Sequence, residues 1–429
     1  MIYLFQSLIL WKILFNFWET RIPQLSLYDE FLSAILLIYI LLHLFFNNYY
    51  FNKNNRIILY TLSFMIIILY VSLCSFIYNN SNFPNLLLFV FGIVKTFIII
   101  ISAYMSNISL KLFLEKYINM ISIIFKICLF FIFIDCFSYI LGGNISFDDD
   151  WTGNFLISAH DFCAVSLMLF AYYNYKSLFL NNKIGQVSLF YLFFAIIAGN
   201  WSLILLFLPF YFVVLLRSKL IKIYSVKILS LVSIFILFSY QFIYKSYSGI
   251  FQNANKFIQL IPQVDYWNNL SFNKLINYNF LLLGIGPGMG GSPAAEKYKT
   301  EFYLEYFYPY VLLFKERTNI SGIFTQPFSS FNTIVSDSGL VVFFCITSLF
   351  FIILFKSYRS INYNDILDFK IVYSFIFVIF SISIFRSFLI SSYNAGGEAL
   401  LYVGCIFIGL IINNSSVGIS SYDKQITRT

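Results

Sequence analysis

Seven ionisable side chains lie within apolar segments of the sequence. They are Lys12, Lys95, Lys126, Asp135, His160, Asp161 and Arg386. Charge inside a membrane span costs at least a few kcal/mol, so such residues by default mark a functional interior, such as a substrate path, a proton relay or an ion pair. The chemistry that these residue types support is the exchange of protons and the binding of charged groups.

Other chemistries lack the residues they need. The chain has only two histidines, His43 and His160, and a lone His beside an Asp is not a catalytic triad. The glycine-rich stretch 284–291 lacks the Lys and Ser/Thr of a nucleotide-binding loop, so we expect a flexible turn there. The six cysteines have no metal-ligand spacing and form no disulfide framework. We therefore expect neither a metal site nor a cofactor.

The composition predicts that membrane helices position these side chains. Of the residues, 60% are hydrophobic and 11% are charged, against roughly 25% charged in soluble domains. Apolar blocks approach the run of about 20 residues that crosses a bilayer as a helix, and lipid does not tolerate open strands. We expect an all-α polytopic bundle of about twelve helices. The predicted spans are 1–18, 31–46, 57–78, 85–105, 117–140, 155–175, 186–199, 201–216, 228–244, 331–355, 371–390 and 396–413.

The distribution of Lys and Arg predicts the orientation of this bundle. Basic residues collect on the cytoplasmic side of short loops. Fifteen of them lie in alternate connections and in the C-terminal tail, whereas the opposite short connections hold one, Arg21. Both termini are therefore expected in the cytoplasm, and the same rule favours a hairpin that breaks at 199–202 over one long helix from 187 to 216.

One connection, 245–330, is far longer than the others and is predicted to lie on the periplasmic side. The chain thus divides into helices 1–9 (residues 1–244), a large periplasmic loop (245–330), and helices 10–12 with a short cytoplasmic tail (331–429). A connection this long inside a compact protein is usually functional or disordered. Its many tyrosines argue against disorder.

The ionisable residues sit at similar depths in their spans. Asp135, His160, Asp161 and Arg386 each lie five or six residues below the outer end of a span, or roughly 8 Å. They could share one layer that lines a polar cavity under the loop, with Asp135 paired to His160 and Asp337 on the same side. The alternative is that each residue sits at the interface and snorkels. Lys95, near the middle of its span, fits that alternative least well.

Two motifs in this arrangement resemble bacterial O-antigen polymerases and the related O-antigen ligases. The segment 281–288 (LLLGIGPG) is similar to the leucine-glycine-x-glycine stretch of the family's large loop. The segment 331–340 (FNTIVSDSGL) is similar to its opening of the next helix. The segments 151–164 and 199–202 resemble the approach to the sixth span and the outer turn of the hairpin. The twelve spans with one large external loop between the ninth and tenth also match.

Two departures from the family pattern bear on activity. Ligases typically have His where this chain has Phe331, which favours a polymerase. The hairpin turn commonly carries Ser-Arg, and here it reads Asn-Trp-Ser. Which residue takes the phosphate-binding role of that missing Arg is left open.

The resemblance implies that glycan is transferred between units carried on undecaprenyl diphosphate, on the periplasmic face of the bacterial inner membrane. Such a reaction needs cations at the leaving diphosphate and a base near the attacking hydroxyl. The candidates for binding the diphosphate are Arg317, Arg386 and Lys95. Arg presents paired donors to phosphate, and Lys supplies a point charge. The base candidates are His160, Asp161 and Glu316, supported by Asp135 and Asp337. The candidates for stacking on sugar are Tyr303, Tyr306, Tyr308 and Trp267.

Other functions remain open. A ligase or another lipid-linked glycosyltransferase would share this layout. A polysaccharide flippase or other transporter is the main alternative, although such proteins tend to show two similar halves and short loops. The expected partners are the lipid-linked glycan, membrane lipid and, as a candidate, a chain-length regulator protein. No nucleic acid is expected.

Overall fold

A computed structural model describes most of the predicted spans and little of the predicted loop. The described residues are 1–14, 28–46, 56–79, 83–106, 108–141, 159–181, 183–198, 201–218, 282–287, 301–306, 308–309, 312, 330–363, 367–389 and 402–413. Their regular structure is entirely helical, with no strand among them, which confirms the predicted class. The predicted span 228–244 lies outside the described residues.

The helices are numbered here in chain order. They are α1 (Ile2–Leu14), α2 (Tyr28–Phe46), α3 (Arg56–Asn79), α4 (Phe83–Met105), α5 (Leu110–Leu141), α6 (Ala159–Asn181), α7 (Gln186–Ile197), α8 (Trp201–Arg217), α9 (Glu301–Tyr306), α10 (Ser330–Tyr363), α11 (Leu367–Leu389) and α12 (Tyr402–Asn413).

Among the described residues, three helices are long and apolar enough to cross a membrane. The qualifying stretches are Tyr60–Ile77 in α3, Leu110–Ile134 in α5 and Asp337–Ile361 in α10. Less than half of each stretch is buried inside the protein, and the faces left open carry large apolar side chains such as Tyr70, Phe130 and Phe344. An apolar surface this continuous is unfavourable in water and suits acyl chains.

Three helices form the centre of the bundle. Residues 161–172 of α6, 371–384 of α11 and 402–412 of α12 are buried on every side. A helix that is apolar all round belongs in the interior of a bundle, where neighbouring helices cover each face. Polar groups on these helices are therefore shielded from lipid.

Ring contacts set the register of the central helices. The rings of Tyr172 on α6 and Phe375 on α11 lie 6.3 Å apart, and Phe375 also contacts Phe407 on α12 at 6.0 Å. Further along, Gly404 lies against the ring of Phe380. From the first of these two contacts to the second, the residue number rises on α11 and falls on α12, so the two helices run antiparallel.

The predicted hairpin between α7 and α8 is confirmed. Asn174 on α6 donates a hydrogen bond to the hydroxyl of Tyr211 near the end of α8, and it accepts one from Ser188 near the start of α7 at 3.5 Å. The start of α7 and the end of α8 thus lie at one level. The chain reverses between Ile197 and Trp201, and the buried polar contacts join all three helices.

Several helix ends meet at one end of the bundle. Gln6 on α1 donates to the carbonyl of Lys116 at 3.2 Å, the ammonium of Lys116 lies 5.2 Å from the ring centroid of Tyr3, and Asn413 on α12 donates to the carbonyl of Ser106 at 2.9 Å. We call this the basic end, because Lys111, Lys116, Lys183 and Arg217 all lie there. The first and last described helices therefore share an end.

Candidate functional site

A break in α10 at Gly339 forms the first part of the candidate site, toward the end opposite the basic end. Gly339 has φ 75° and ψ 179° inside the helix, a conformation essentially limited to glycine. A Cβ at this position would overlap the carbonyl group of Leu282. The turn 282–287 therefore lies backbone to backbone against the break.

The contact is reciprocal. Gly284 also has φ 75°, and a Cβ there would lie 2.5 Å from the carbonyl oxygen of Asp337 and from the nitrogen of Ser338. Each glycine leaves room for the other segment. Residues 284–287 are buried, with Ile285 only 3% exposed, whereas Leu282 and Leu283 are exposed. The expected turn is present at 282–287, and it packs closely against the backbone of α10.

Polar groups are enclosed where the two segments meet. Asp337 and Ser338 are both fully buried, and the hydroxyl of Ser338 has no hydrogen-bond partner within the described residues. A break also leaves the first N–H groups of the following helical segment without intrahelical partners. The junction of the turn with α10, which we call the glycine junction (Leu282–Pro287 with Asp337–Gly339), is thus rich in backbone and side-chain polar groups.

Asp161 on α6 belongs to a second group of polar residues. It is 2% exposed, and its carboxyl group interacts electrostatically with the thiol of Cys128 on α5. Burial this deep is rare for a carboxylate and marks a residue retained for a purpose.

The register of α6 and α11 brings Arg386 to the same level as Asp161. Tyr172 on α6 and Phe375 on α11 are in contact. Asp161 precedes Tyr172 by eleven residues, and Arg386 follows Phe375 by eleven. Eleven residues make about three full helical turns, so each residue shares a helix face with its reference ring. The backbone positions of Asp161 and Arg386 therefore face each other, while the side chain of Arg386 lies outside the described part.

Lys95 lies somewhat deeper. Its ammonium group is 5.4 Å from the ring centroid of Tyr402 on α12, and Tyr402 is buried. Because Gly404 lies against Phe380, Tyr402 is level with residues close to Phe380 on α11. That places Lys95 roughly 8 Å nearer the basic end than Arg386, within reach of a long side chain.

The predicted pairing of Asp135 with His160 stays a prediction, because both side chains lie outside the described part. The register of α5 and α6 does test whether Asp135 and Asp161 lie in one layer, as the sequence predicts. Phe125 stacks on Phe162 at 5.3 Å, and Cys128 is beside Asp161. The backbone of Asp135 is then about 10 Å beyond the level of Asp161, so the polar residues extend along the helices.

The aromatic candidates of the loop are described only in part. The rings of Tyr303 and Tyr308 lie 6.2 Å apart. Tyr303 is buried and Tyr308 is partly exposed, so Tyr308 offers the freer surface. The side chain of Tyr306, and all of Trp267, Glu316 and Arg317, lie outside the described residues.

Sequence reasoning missed two features of this site. It did not find Tyr402 as the companion of Lys95, because nothing in the sequence relates α4 to α12. It also read Gly339 only as part of a motif, although an isolated glycine in an apolar helical pattern is a signal for a break or a close contact.

The described residues contain no group of three or more His, Cys, Asp or Glu side chains that could hold a metal ion. Comparison with protein-family models, curated proteins and solved structures found no match to this chain. The chemistry of the site therefore has to be inferred from its own residues.

Proposed function

We propose that this chain is a multi-pass protein of the bacterial inner membrane that polymerises glycan repeat units carried on undecaprenyl diphosphate at the periplasmic face. The proposal includes a bundle of about twelve helices with both termini in the cytoplasm and a large periplasmic loop. It extends the resemblance to O-antigen polymerases.

One observation carries the proposal. Two of the motifs that carry the resemblance, 281–288 and 331–340, are separated by more than forty residues, yet their glycines make room for each other's backbone. Two unrelated stretches would have no reason to need glycine at both contact positions. Their contact supports a functional unit formed by the loop and the start of α10.

The chemistry follows from the residues below this junction. Expulsion of a diphosphate builds negative charge on the leaving group, which a preorganised cation stabilises most effectively in a site that excludes water. Arg386 and Lys95 supply the cations in this proposal. Asp161 accepts the proton of the attacking hydroxyl in this proposal.

Two further observations support the orientation. The alternating distribution of Lys and Arg favours a periplasmic position for the glycine junction and Asp161. The contacts of α1 and α12 near Lys116 and Ser106 bring the first and last described helices to the same, basic end. Both are consistent with cytoplasmic termini.

Deletion of the gene in its own bacterium tests the activity. Surface polysaccharide separated on a gel should lose its ladder and retain glycan of single-unit length, because unit synthesis and export would continue. A complete ladder in the deletion strain would rule out the polymerase. Complete absence of glycan would instead indicate a flippase or a ligase.

Complementation then tests the site. Arg386→Ala should fail to restore the ladder while the protein accumulates normally in the membrane. Lys126→Ala is the matched control, because Lys126 is an exposed cation on α5 with no role in the proposal. A ladder restored by Arg386→Ala would remove this residue from the site.

A transporter is the second candidate, and the break in α10 favours it specifically. Broken helices at membrane depth are typical of transporters, where they bind substrate at the ends of the half-helices. Purified protein in liposomes separates the two functions. A polymerase lengthens lipid-linked glycan placed on its periplasmic face, whereas a flippase moves it across the bilayer without lengthening it.

A further inference from the structure

A second charged cluster, remote from the glycine junction, lies at the basic end. Arg217 is the last residue of α8, and its guanidinium carbon lies 4.7 Å from the ring centroid of Tyr358 on α10. Tyr358 in turn contacts Phe377 on α11 at 5.8 Å. The guanidinium at the end of α8 is therefore stacked on a ring of α10, which in turn packs against α11.

This stacking leaves hydrogen-bonding capacity unused. The Nε atom of Arg217 is buried and has no hydrogen-bond partner within the described residues. Two serine hydroxyls are also buried and have no hydrogen-bond partner within the described residues. Ser357 is next to Tyr358 in sequence, and Ser374 is one helical turn before Phe377. Buried donors are normally satisfied, so an unused guanidinium donor calls for an acceptor that carries negative charge.

A second cation faces Arg217. Phe210 and Phe377 are in contact at 6.2 Å. Arg217 follows Phe210 by seven residues, and Lys370 precedes Phe377 by seven. Seven residues make about two helical turns, so Arg217 and Lys370 occupy facing positions of α8 and α11 at one level.

The position of the cluster indicates the kind of anion. These helix ends follow apolar helices whose outer faces suit acyl chains, so the cluster is at the depth of lipid headgroups. Basic pockets between helix ends are a common way for membrane proteins to bind anionic lipid headgroups. We propose that Arg217, Tyr358 and Lys370 form a binding site for the phosphate of an anionic phospholipid in the leaflet at the basic end.

The full-length protein, purified in detergent and depleted of lipid, provides the test. Binding of phosphatidylglycerol is measured by native mass spectrometry, with phosphatidylethanolamine as the zwitterionic comparison. We expect selective retention of phosphatidylglycerol. Arg217→Gln should weaken this binding about tenfold or more, because it removes a charge-assisted hydrogen bond to the phosphate.

Three controls make the outcome decisive. Lys183→Gln removes an equal charge from an exposed position at the same end and should leave binding unchanged. Lys370→Gln keeps the Arg217–Tyr358 stack and should still weaken binding, which covers the case in which Arg217→Gln does not fold. Inorganic phosphate in large excess should not displace the lipid.

Several results would overturn the site. Equal losses with Lys183→Gln and Arg217→Gln would show a general effect of charge. Unchanged binding in both Arg217→Gln and Lys370→Gln would exclude these residues. Displacement by inorganic phosphate would show that the cluster binds free phosphate and not lipid. Equal retention of both phospholipids would remove the requirement for an anion.

Discussion

The two glycines of the junction are restricted in backbone conformation and in space at the same time. Gly284 and Gly339 both have φ 75°, where any other residue is strained by about 1–2 kcal/mol. Each also lies where a Cβ would meet the opposite backbone, and a backbone cannot move aside as a side chain can. Glycine is therefore required at both positions for the turn 282–287 to pack against α10.

Gly339→Ala tests this requirement. We expect destabilisation by about 2–4 kcal/mol, from backbone strain together with overpacking, and loss of the glycan ladder. Thermal unfolding of the purified protein measures the first effect and polysaccharide gels the second. Gly185→Ala is the control for backbone strain, because Gly185 has φ −73°, which alanine adopts easily. A Cβ there would lie 3.1 Å from the Cβ of Ser177, so the control requires only a small adjustment of one side chain. An unchanged melting temperature for Gly339→Ala would contradict the close contact.

The facing positions of Asp161 and Arg386 give a second prediction for individual residues. In a background without the six native cysteines, Asp161→Cys with Arg386→Cys should form a cross-link with a short bifunctional thiol reagent. Mobility on a denaturing gel after proteolytic cleavage within the predicted loop 245–330 detects the link. Asp161→Cys with Ser387→Cys should react poorly, because the next residue on a helix points about 100° away. Equal reaction of the two pairs would contradict the register.

Among the helices, α12 approaches the backbone of α4 closely at a glycine. A Cβ on Gly409 would overlap the carbonyl oxygen of Ile100 and lie 2.6 Å from the Cβ of Ala103 on α4. Close approach at small residues is a common source of helix association in membranes, where van der Waals packing replaces the hydrophobic effect. The pairing of α4 with α12 holds Lys95 beside Tyr402 and thus contributes to the site.

Two alanine substitutions on α12 separate backbone from side-chain packing. Gly409→Ala should destabilise the protein by about 1–3 kcal/mol, because α4 and α12 would have to move apart. Gly404→Ala should cost less, because a Cβ there meets only the ring of Phe380, which can adjust. Melting temperatures of the two purified variants provide the comparison. A larger loss of stability for Gly404→Ala than for Gly409→Ala would contradict the close backbone contact between α4 and α12.

At the scale of the whole molecule, the charge pattern predicts which end of the bundle is cytoplasmic. Asp149→Cys and Lys183→Cys can be compared by labelling intact cells with a membrane-impermeant maleimide. We expect Asp149→Cys to react in intact cells and Lys183→Cys to react only after the membrane is permeabilised, because short loops rich in Lys and Arg stay in the cytoplasm. The reverse pattern would invert the topology and place Asp161 toward the cytoplasm.

Much of the fold could be predicted because membrane helices are local structures. Of the twelve helices predicted from apolar runs, eleven are each overlapped by a described helix. The charge rule correctly separated α7 from α8. Helix ends were less predictable. α5 begins at Leu110 and α10 continues to Tyr363, beyond the apolar core of each span, since polar residues can continue a helix into the interface.

The sequence alone determined which ionisable residues lie in apolar segments, which segments are apolar enough to form membrane helices, and which two glycine-containing motifs resemble a known family, because each of these depends on neighbours in the chain. Only the tertiary structure decided that Gly284 meets Gly339, that Lys95 lies beside Tyr402, and that Arg217 stacks on Tyr358. Such contacts join helices far apart in the chain, and they depend on helix register and on the faces that turn inward. A periodic apolar sequence leaves both undetermined, because lipid and a neighbouring helix accept the same apolar side chains.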